Sequence, residues 1–501
     1  MKSIVRYSAE VWKRRPLALI LVLALLVRMV AAFFARGYGM HDDHFCVIDV
    51  AQQWLNGTLS VVDKGDNVRN LIYPWLHYVL FAALERMGVF DPQAKMLVVR
   101  VLHALYSLLL VYFGYKTALL ITDSKTAKLT GLLLALFWVL PFMSVRNLIE
   151  FVCVPPLAAG IFLLIRHDVK GGGARLLVSA GAMMALAFTF RFQTIVFAGA
   201  VGLVFLFKKQ WARLGWYALG FLVFAFVLQT VSDVHIARTY PCASFFRALY
   251  LFTVSDPSGY PVGPWYQYLG LLVGVLIPPM SLLLLYGFFK TWKKYALIFW
   301  PTFLFLAVHS IIVNKQERFI LPIVPFVLML AVIGWRELSQ RSRFWETHSR
   351  LVRGLWWWFG VINTVLLCVV STTYSKKSRV ETLTYLSHKT DVRAILIETP
   401  DNTPPLAPLF YLTKPAPVYY LPATKTIAEL KKEIDSLGGV LPNYVICLSQ
   451  SDIKARVERL GALVRGLKFE HEIKPSFIDN LLYVLNPRHN VNQSSSIYKG
   501  E

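Results

Sequence analysis

The sequence predicts a polytopic α-helical membrane protein that carries a small soluble α/β domain at its C-terminus. Three observations support this fold class. Of the 501 residues, 56% are hydrophobic and only 16% are charged, and the mean hydropathy of +0.52 is too high for a soluble protein of this length. The apolar residues form long runs with basic loops between them. From residue 371 onward the composition is that of an ordinary soluble domain.

The positive charge belongs mainly to the predicted membrane part. The chain has a net charge of +23, which in a soluble protein would suggest a nucleic-acid partner. Residues 371–501 contribute only +4 of this charge, and the remaining +19 lies before them. We therefore interpret the charge as a membrane orientation signal and predict no nucleic-acid partner. The five scattered cysteines form neither a disulfide framework nor a zinc motif.

The first apolar run, residues 17–34, follows a basic N-terminus and is interrupted only by Arg28. It is longer than the apolar core of a signal peptide, and no small-residue cleavage site follows it. We therefore expect an uncleaved first helix with the N-terminus in the cytoplasm.

Further runs follow in a window of about 19 residues, with basic loops between them. The run 176–207 has basic flanks at both ends and Arg191 in its middle, so we predict that it breaks near Arg191 into two helices. This gives about eleven spans and an extracytoplasmic C-terminus. The remaining predicted spans are 97–120, 127–143, 151–165, 214–231, 268–289, 295–313, 319–335 and 355–370.

The chain thus divides into a membrane domain, 1–370, with a long first external loop, 35–96, and an extracytoplasmic α/β domain, 371–501. In the second domain, strand-like runs occupy 394–398, 444–448 and 481–485, and helical patterns occupy 427–437 and 453–463.

The predicted outer face carries a concentration of polar residues. The first external loop contains HDDHF, with His41, Asp42, Asp43 and His44. An acid here could cap the following helix, but two acids between two histidines beside a membrane helix favour a site. We interpret them as a catalytic rather than a metal site, because neighbours in sequence rarely converge on one ion.

Two short turns add charge to the same face. RNLIE contains Arg146 and Glu150, and NKQERF contains Lys315, Glu317 and Arg318. A lone cation in such a turn could simply reach for lipid headgroups, whereas a cluster of cations can bind a phosphate. The aromatic residues of GPWYQY, Trp265 and Tyr268, suit either a membrane belt or a sugar site.

Taken in this order, the motifs resemble glycosyltransferase family 22 of the GT-C superfamily, the lipid-phosphate-mannose-dependent mannosyltransferases. HDDHF is similar to the family's acidic motif, with His44 in place of its Glu, and NKQERFILPIVP is similar to its H-K-E-x-R-F motif, with Asn314 and Gln316 as departures. These departures make the chain a divergent member. The other matching positions are Arg146, Asn147, Glu150, Arg191, Thr194, Pro264, Trp265, Tyr268, Phe319, Pro322 and Pro325.

The resemblance implies a GT-C-like fold and an inverting enzyme that transfers mannose from a polyprenyl-phosphate donor to a glycan or glycolipid. It implies that Asp43, or Asp42 in its place, is the catalytic base and that no metal or other cofactor is needed. Donor phosphate would bind to Lys315, Arg318, Arg191 and Arg146. Other substrate contacts would come from His41, His44, Glu150, Glu317, Trp265 and Tyr268.

Two alternatives share many of these features. A transporter or flippase of lipid-linked glycans also needs many helices and cations, but it places its polar groups near the membrane midplane. Another GT-C enzyme, transferring a sugar such as aminoarabinose, would share the topology and the outer-face acid. A bacterial inner membrane is the favoured location, with the endoplasmic reticulum membrane as the alternative.

Overall fold

The computed structural model describes residues 10, 12–40, 43–58, 69–254, 261–402, 405–413, 415–485 and 493–501. The chain forms two compact units. The first unit contains Met1–Phe33, Gly57–Leu76 and Val99–Thr372. The second unit contains Phe34–Asn56, His77–Val98 and Thr373–Glu501. The second unit therefore combines the C-terminal segment with two parts of the 35–96 loop.

The part of the chain before residue 372 is helical. Its helices are α1 (Pro16–Phe34), α2 (Asp49–Leu55), α3 (Ile72–Arg86), α4 (Pro92–Ile121), α5 (Ser124–Leu136), α6 (Val139–Ser144), α7 (Ile149–Val152), α8 (Val154–Lys170), α9 (Ala174–Phe190), α10 (Ile195–Phe207), α11 (Trp211–Thr230), α12 (Ala243–Val254), α13 (Gln267–Val275), α14 (Met280–Lys290), α15 (Ala296–Ile311), α16 (Val324–Arg341), α17 (Arg343–Thr347) and α18 (Ser349–Ser371). Shorter helical turns occupy His44–Ile48, Phe192–Thr194, Val231–Ile236 and Glu317–Ile323.

The lengths and compositions of these helices are those of a multi-pass membrane protein. Among the described residues, six helical segments are long and apolar enough to cross a membrane, or seven if the bent pair α13 and α14 counts as one span. Four shorter apolar helices accompany them, namely α9, the segment Phe192–Phe207, α12 and α15. The predicted break is present: α9 ends at Phe190, and Arg191 has the extended backbone angles φ −149° and ψ 107°.

The lone cation of the first helix is fully buried rather than exposed to lipid. The Arg28 guanidinium donates to the Ser107 hydroxyl at 2.9 Å and to the Ala135 and Leu134 carbonyls at 2.8 and 3.2 Å. These two carbonyls lie at the end of α5, where the helix leaves them without partners of its own. A buried arginine is therefore tolerated here because helix-end carbonyls accept hydrogen bonds from its guanidinium.

Small residues allow the helices of the first unit to pack closely. Gly287 of α14 faces Gly334 of α16, and a Cβ atom added to Gly287 would lie 2.5 Å from the Trp335 nitrogen. Side chains cannot be accommodated at this distance, so both positions require glycine. Such close backbone approach is the usual means by which membrane helices associate without a hydrophobic driving force.

The second unit contains a five-stranded sheet of order β2-β1-β3-β5-β4. β1 is parallel to β2 and β3, whereas β5 is antiparallel to β3 and β4. Leu430 and Ile434 of the capped helix Ile427–Ser436 pack against buried strand residues such as Leu396 and Val445. The strands are β1 (Ile395–Glu398), β2 (Val418–Leu421), β3 (Tyr444–Leu448), β4 (Lys468–Ile473) and β5 (Ser495–Lys499), and the helices are α19 (Lys377–Ser387), α20 (Ile427–Ser436), α21 (Ile453–Leu460) and α22 (Phe477–Leu485).

One predicted strand is wrong. The run 481–485 belongs to α22 instead. At the start of this helix the Ser476 hydroxyl accepts the Asp479 N–H at 3.2 Å, and the Asp479 carboxylate accepts the Ser476 N–H and hydroxyl at 3.1 and 2.9 Å. This capping arrangement nucleates a helix whatever the strand preference of the residues that follow.

Candidate active site

The acidic motif of the first loop lies in the second unit. Asp43 is buried, and His44 begins the helical turn that follows it. The Asp43 side chain makes no capping hydrogen bond to this turn, so helix capping does not explain its presence. His41 and Asp42 fall outside the described residues.

The His44 imidazole lies between two tyrosine rings of the same unit. It stacks on Tyr38 at a centroid distance of 4.6 Å and on Tyr411 at 5.4 Å, with interplanar angles of 16° and 11°. Its Nε2 atom is 3.6 Å from Oδ1 of Asp49. Stacking on both faces fixes the ring plane, and thereby the start of the turn next to Asp43.

Asp49 is a site residue that sequence reasoning missed. Its carboxylate accepts the Phe410 N–H at 2.8 Å and is 4% exposed. Burial raises the pKa of Asp49 to about 7, because a charged carboxylate is poorly solvated there. The only sequence signal is its position five residues after His44, in a stretch that otherwise has helical apolar spacing.

A second constellation, in the first unit, joins three residues that lie far apart in sequence. The Glu150 carboxylate forms a short hydrogen-bonded ion pair with the Arg191 guanidinium, and Nε of Arg318 is 3.5 Å from the same carboxylate oxygen. We call Glu150, Arg191 and Arg318 the buried triad, because each residue is at most 8% exposed. Its formal charge is +1, so part of its positive charge is available to an anion.

Two further contacts hold the arginines in place. Both guanidiniums lie near the Phe319 ring, at 5.3 Å for Arg191 and 5.8 Å for Arg318, within the range of a cation–π interaction. Arg318 also donates to the Gln316 side chain at 2.8 Å. Arg191 occupies the helix break, where its carbonyl accepts the Thr194 hydroxyl at 2.9 Å.

Lys315 lies in the same unit but does not join the triad. Its ammonium donates to the carbonyls of His309 and Ser310 at 2.9 Å each, and to that of Ile312. An ammonium has three protons, so these carbonyls at the end of α15 use all of them. Burial lowers the pKa of Lys315.

A short backbone pairing connects the two remaining motifs of the first unit. Val262 pairs with Asn314, and the Lys315 N–H donates to the Pro261 carbonyl at 2.8 Å. The Tyr268 hydroxyl lies 3.1 Å from the Gln316 carbonyl, and its ring is 5.3 Å from the Lys315 ammonium. Tyr268 therefore lies against NKQERF.

The remaining predicted residues of this unit differ in exposure. Arg146 is buried with its guanidinium 4.7 Å from the centre of the Phe142 ring. Glu317 is exposed, and Trp265 is 69% exposed. Next to Arg146, the Asn147 side chain accepts the Tyr73 hydroxyl at 2.6 Å, a contact that the sequence did not suggest.

Within the described ranges, no group of three His, Cys, Asp or Glu side chains could hold a metal ion. Because His41 and Asp42 are not among them, the expectation that the enzyme works without a metal stays a prediction.

Comparisons with known proteins agree with this architecture. A family model described as the Alg9-like mannosyltransferase family matches residues 19–396. The GPI mannosyltransferase 3 of Saccharomyces cerevisiae is 26% identical over 220 residues, which are 40% of this chain and 34% of that protein. The chain thus spans about a third of the length of this curated relative.

Solved structures share the fold. ArnT from Cupriavidus metallidurans in the apo state is 14% identical with a TM-score of 0.62, covering 98% of each chain. Its complex with undecaprenyl phosphate has a TM-score of 0.61 at 13% identity, over 96% of this chain and 97% of that chain. The oligosaccharyltransferase AglB from Archaeoglobus fulgidus, in complex with an inhibitory peptide and a dolichol-phosphate, has a TM-score of 0.53 at 11% identity, over 90% of this chain and 71% of that chain. The predicted fold class, a GT-C-like helical membrane protein with a C-terminal α/β domain, is confirmed.

Proposed function

The chain belongs to the Alg9-like mannosyltransferase family, as its motifs predict, and from this premise we propose that it transfers mannose from a polyprenyl-phosphate donor to a hydroxyl of a glycan or glycolipid. We place the reaction on the extracytoplasmic face, with the N-terminus in the cytoplasm, and expect inversion at the anomeric carbon. A bacterial inner membrane is the favoured location.

The observation that carries this proposal is the buried triad. Two arginines share one carboxylate inside a unit made of apolar helices. Buried cations are costly unless they bind an anion. Glu150 balances only one of the two positive charges, and a lipid phosphate provides a second anion while its prenyl chain lies among the helices. Undecaprenyl phosphate and dolichol-phosphate are bound by solved proteins of the same fold, which supports this class of donor.

The chemistry of the transfer explains why cations are needed. The acceptor oxygen forms a bond to the anomeric carbon, and the bond from this carbon to the phosphate oxygen breaks with its electron pair remaining on the phosphate. The phosphate changes from a diester to a monoester and gains one negative charge. Arginines placed before the reaction stabilise this charge as it develops.

We propose that Asp43 removes the proton of the acceptor hydroxyl. A sugar hydroxyl is a weak nucleophile, and a carboxylate that accepts its proton during attack accelerates the reaction by about 10² to 10⁴-fold. Asp42 is the neighbouring candidate for this role. The stacked His44 ring supports the assignment of Asp43, because it holds the backbone next to that carboxylate.

The other predicted residues have supporting roles in this proposal. Arg191 and Arg318 bind the donor phosphate, and Arg146 adds positive charge to this phosphate site. Lys315 holds the turn that carries Arg318, since its protons are used by helix-end carbonyls. Substrate contacts come from His41, His44, Glu150, Glu317, Trp265 and Tyr268. No metal ion or other cofactor takes part.

The test is transfer of radiolabelled mannose from synthetic polyprenyl-phosphate-mannose to candidate glycans by the purified full-length protein. We expect Asp43→Asn to lose at least about a hundredfold in kcat while its binding of the donor is unchanged. Asp168→Asn, at a surface ion pair with Arg213, is the matched control and should retain full activity. Undiminished turnover by Asp43→Asn would remove the base assignment.

Two further outcomes would change the proposal. A strict requirement for a divalent cation, abolished by a chelator, would favour a metal site at HDDH. Movement of the lipid-linked sugar across proteoliposomes, without any glycosylated product, would favour a transporter.

A further inference from the structure

The buried triad holds an anion of its own at the place where the donor phosphate is proposed to bind. One oxygen of Glu150 is shared by Arg191 and Arg318. The other oxygen has no hydrogen-bond partner among the described residues, although the side chain is only 1% exposed. Both arginines are therefore occupied by a carboxylate before any substrate arrives.

We propose that Glu150 acts as an internal counter-anion, which weakens the hold of the two arginines on the lipid phosphate product so that the product is released. This inference rests on the proposed function. It makes Glu150 a positioning residue that acts through the arginines, in addition to any contact with substrate.

The charges of the reaction support this role. The donor is a phosphodiester with one negative charge, whereas the product is a monoester with a charge of about −1.5 to −2 at neutral pH. Two arginines without a counter-anion would bind the product more strongly than the donor and would retain it. With Glu150 present the net charge of the triad is +1, which reduces the extra attraction of the dianionic product relative to the donor.

Contacts other than the carboxylate of Glu150 also help to hold the arginines. Phe319 lies beside both guanidiniums, and Gln316 accepts a hydrogen bond from Arg318. A glutamine at position 150 would keep an oxygen as hydrogen-bond acceptor and remove only the charge. Glu150→Gln thus separates the charge of this residue from its shape.

The experiment measures binding of farnesyl phosphate, a soluble prenyl monoester, to the full-length protein in detergent. Glu150→Gln is expected to bind it at least about tenfold more tightly than wild type, because repulsion by a nearby buried charge is removed. Binding of farnesol, which lacks the phosphate, should not change. In mannosyl transfer, Glu150→Gln should show a lower kcat with a burst of product in the first turnover.

The matched control is Glu346→Gln, since Glu346 is an exposed glutamate of α17. This variant changes the net charge equally and should bind farnesyl phosphate as wild type does. Equal or weaker binding by Glu150→Gln would overturn the inference and assign Glu150 a purely structural role. Failure of wild type to bind any prenyl phosphate would instead remove the proposed function, so the two failures are distinguishable.

Glu150→Gln leaves two buried arginines facing each other without an anion, and this variant could fold poorly for that reason. A second pair of variants tests the inference in that case. Arg318→Gln alone leaves a neutral pair, Glu150 with Arg191. Arg318→Gln combined with Glu150→Gln leaves Arg191 alone, with the net charge of the wild-type triad. The double variant should bind farnesyl phosphate at least about tenfold more tightly than Arg318→Gln, and no gain would overturn the inference.

Discussion

The two units hold their buried charges in different ways. In the first unit, the buried triad consists of two arginines and a glutamate, and arginine remains charged at every accessible pH. In the second unit, a histidine stacked between two tyrosines faces an aspartate whose pKa is raised to about 7 by burial. The first arrangement provides a fixed charge, whereas the second changes its charge near neutral pH.

This difference matches the two tasks of the proposed reaction. Stabilising a leaving phosphate requires positive charge that does not depend on conditions. Removing a proton is favoured by groups that titrate near the working pH, and the titratable Asp49 lies in the same unit as Asp43, the proposed base. The predictions below test whether fixed and titratable charge are separated between the units in this way.

The largest effect is expected from Arg191→Met, which removes half of the positive charge of the triad. The variant removes the hydrogen-bonded partner of Glu150 and leaves this carboxylate with Arg318 alone, 3.5 Å away. Loss of a hydrogen bond to a charged group costs about 1.5–3 kcal/mol of stability. The rate of mannosyl transfer should also fall at least about a hundredfold, because the variant loses a hydrogen-bond donor aimed at the charge that develops on the phosphate. Thermal unfolding in detergent and single-turnover transfer measure the two losses.

Arg213→Met is the control for this prediction. Arg213 pairs with Asp168 at 2.8 Å, with side chains 33% and 42% exposed. Exposed pairs contribute about 1 kcal/mol or less, so this variant should differ little from wild type. Similar losses in both variants would mean that the triad is no more than an ordinary ion pair.

The second prediction concerns Asp49 and the dependence of stability on pH. The pKa of Asp49 is raised to about 7 in the folded protein. Between about pH 4 and pH 7 the folded protein therefore holds a proton that the unfolded chain has already released. This stabilisation is fully present below the unfolded pKa of about 4 and is lost as pH rises to about 7, with an upper bound of about 4 kcal/mol.

Asp49→Asn should abolish this dependence, since an amide does not titrate and its oxygen can still accept the Phe410 N–H. Relative to wild type, the variant should gain stability as pH rises from 4 to 8, as measured by thermal unfolding and by hydrogen exchange of residues 405–413. The control is Asp435→Asn, at an exposed position of α20, which should keep the wild-type profile. An unchanged pH profile in Asp49→Asn would show that Asp49 is ionised throughout this range.

The membrane part of the fold could be predicted from sequence, because lipid imposes simple rules on it. Apolar runs and basic loops located most of the helices, although the predicted spans 127–143 and 268–289 each form two helices. The cost of a charge in lipid predicted the break at Arg191. The rules fail where one local signal overrides another. Residues 481–485 have strand propensity but form a helix, because the capping interaction between Ser476 and Asp479 starts that helix.

The candidate site could be predicted residue by residue but not as pairs. Glu150, Arg191 and Arg318 each stood out, yet nothing in a single sequence indicates that one carboxylate serves both arginines. Asp49 gave only a weak signal, its position after His44, because its burial depends on Phe410, which is remote in sequence. Such pairings result from tertiary packing, and local patterns contain no information about them.

The third prediction tests whether Lys315 acts on the fold or on the phosphate. Lys315→Met removes three hydrogen bonds to helix-end carbonyls, and we expect a loss of about 2–3 kcal/mol of stability, because charge-assisted bonds are worth about 1.5–3 kcal/mol each and are not additive. The dissociation constant of farnesyl phosphate should change less than about threefold in the folded protein. A loss of phosphate affinity as large as that of Arg318→Gln would show that Lys315 turns toward the ligand.

The smallest effect is expected from His44→Phe, and it identifies the origin of the titration in the second unit. A phenyl ring can keep the stacking on Tyr38 and Tyr411, so stability at pH 5 should change by about 1 kcal/mol or less. Burial is the main cause of the raised pKa of Asp49, and burial does not require the histidine. The pH dependence of stability should therefore persist in His44→Phe, whereas its disappearance, measured by thermal unfolding between pH 4 and 8, would assign the titration to the histidine and make the two residues one coupled pair.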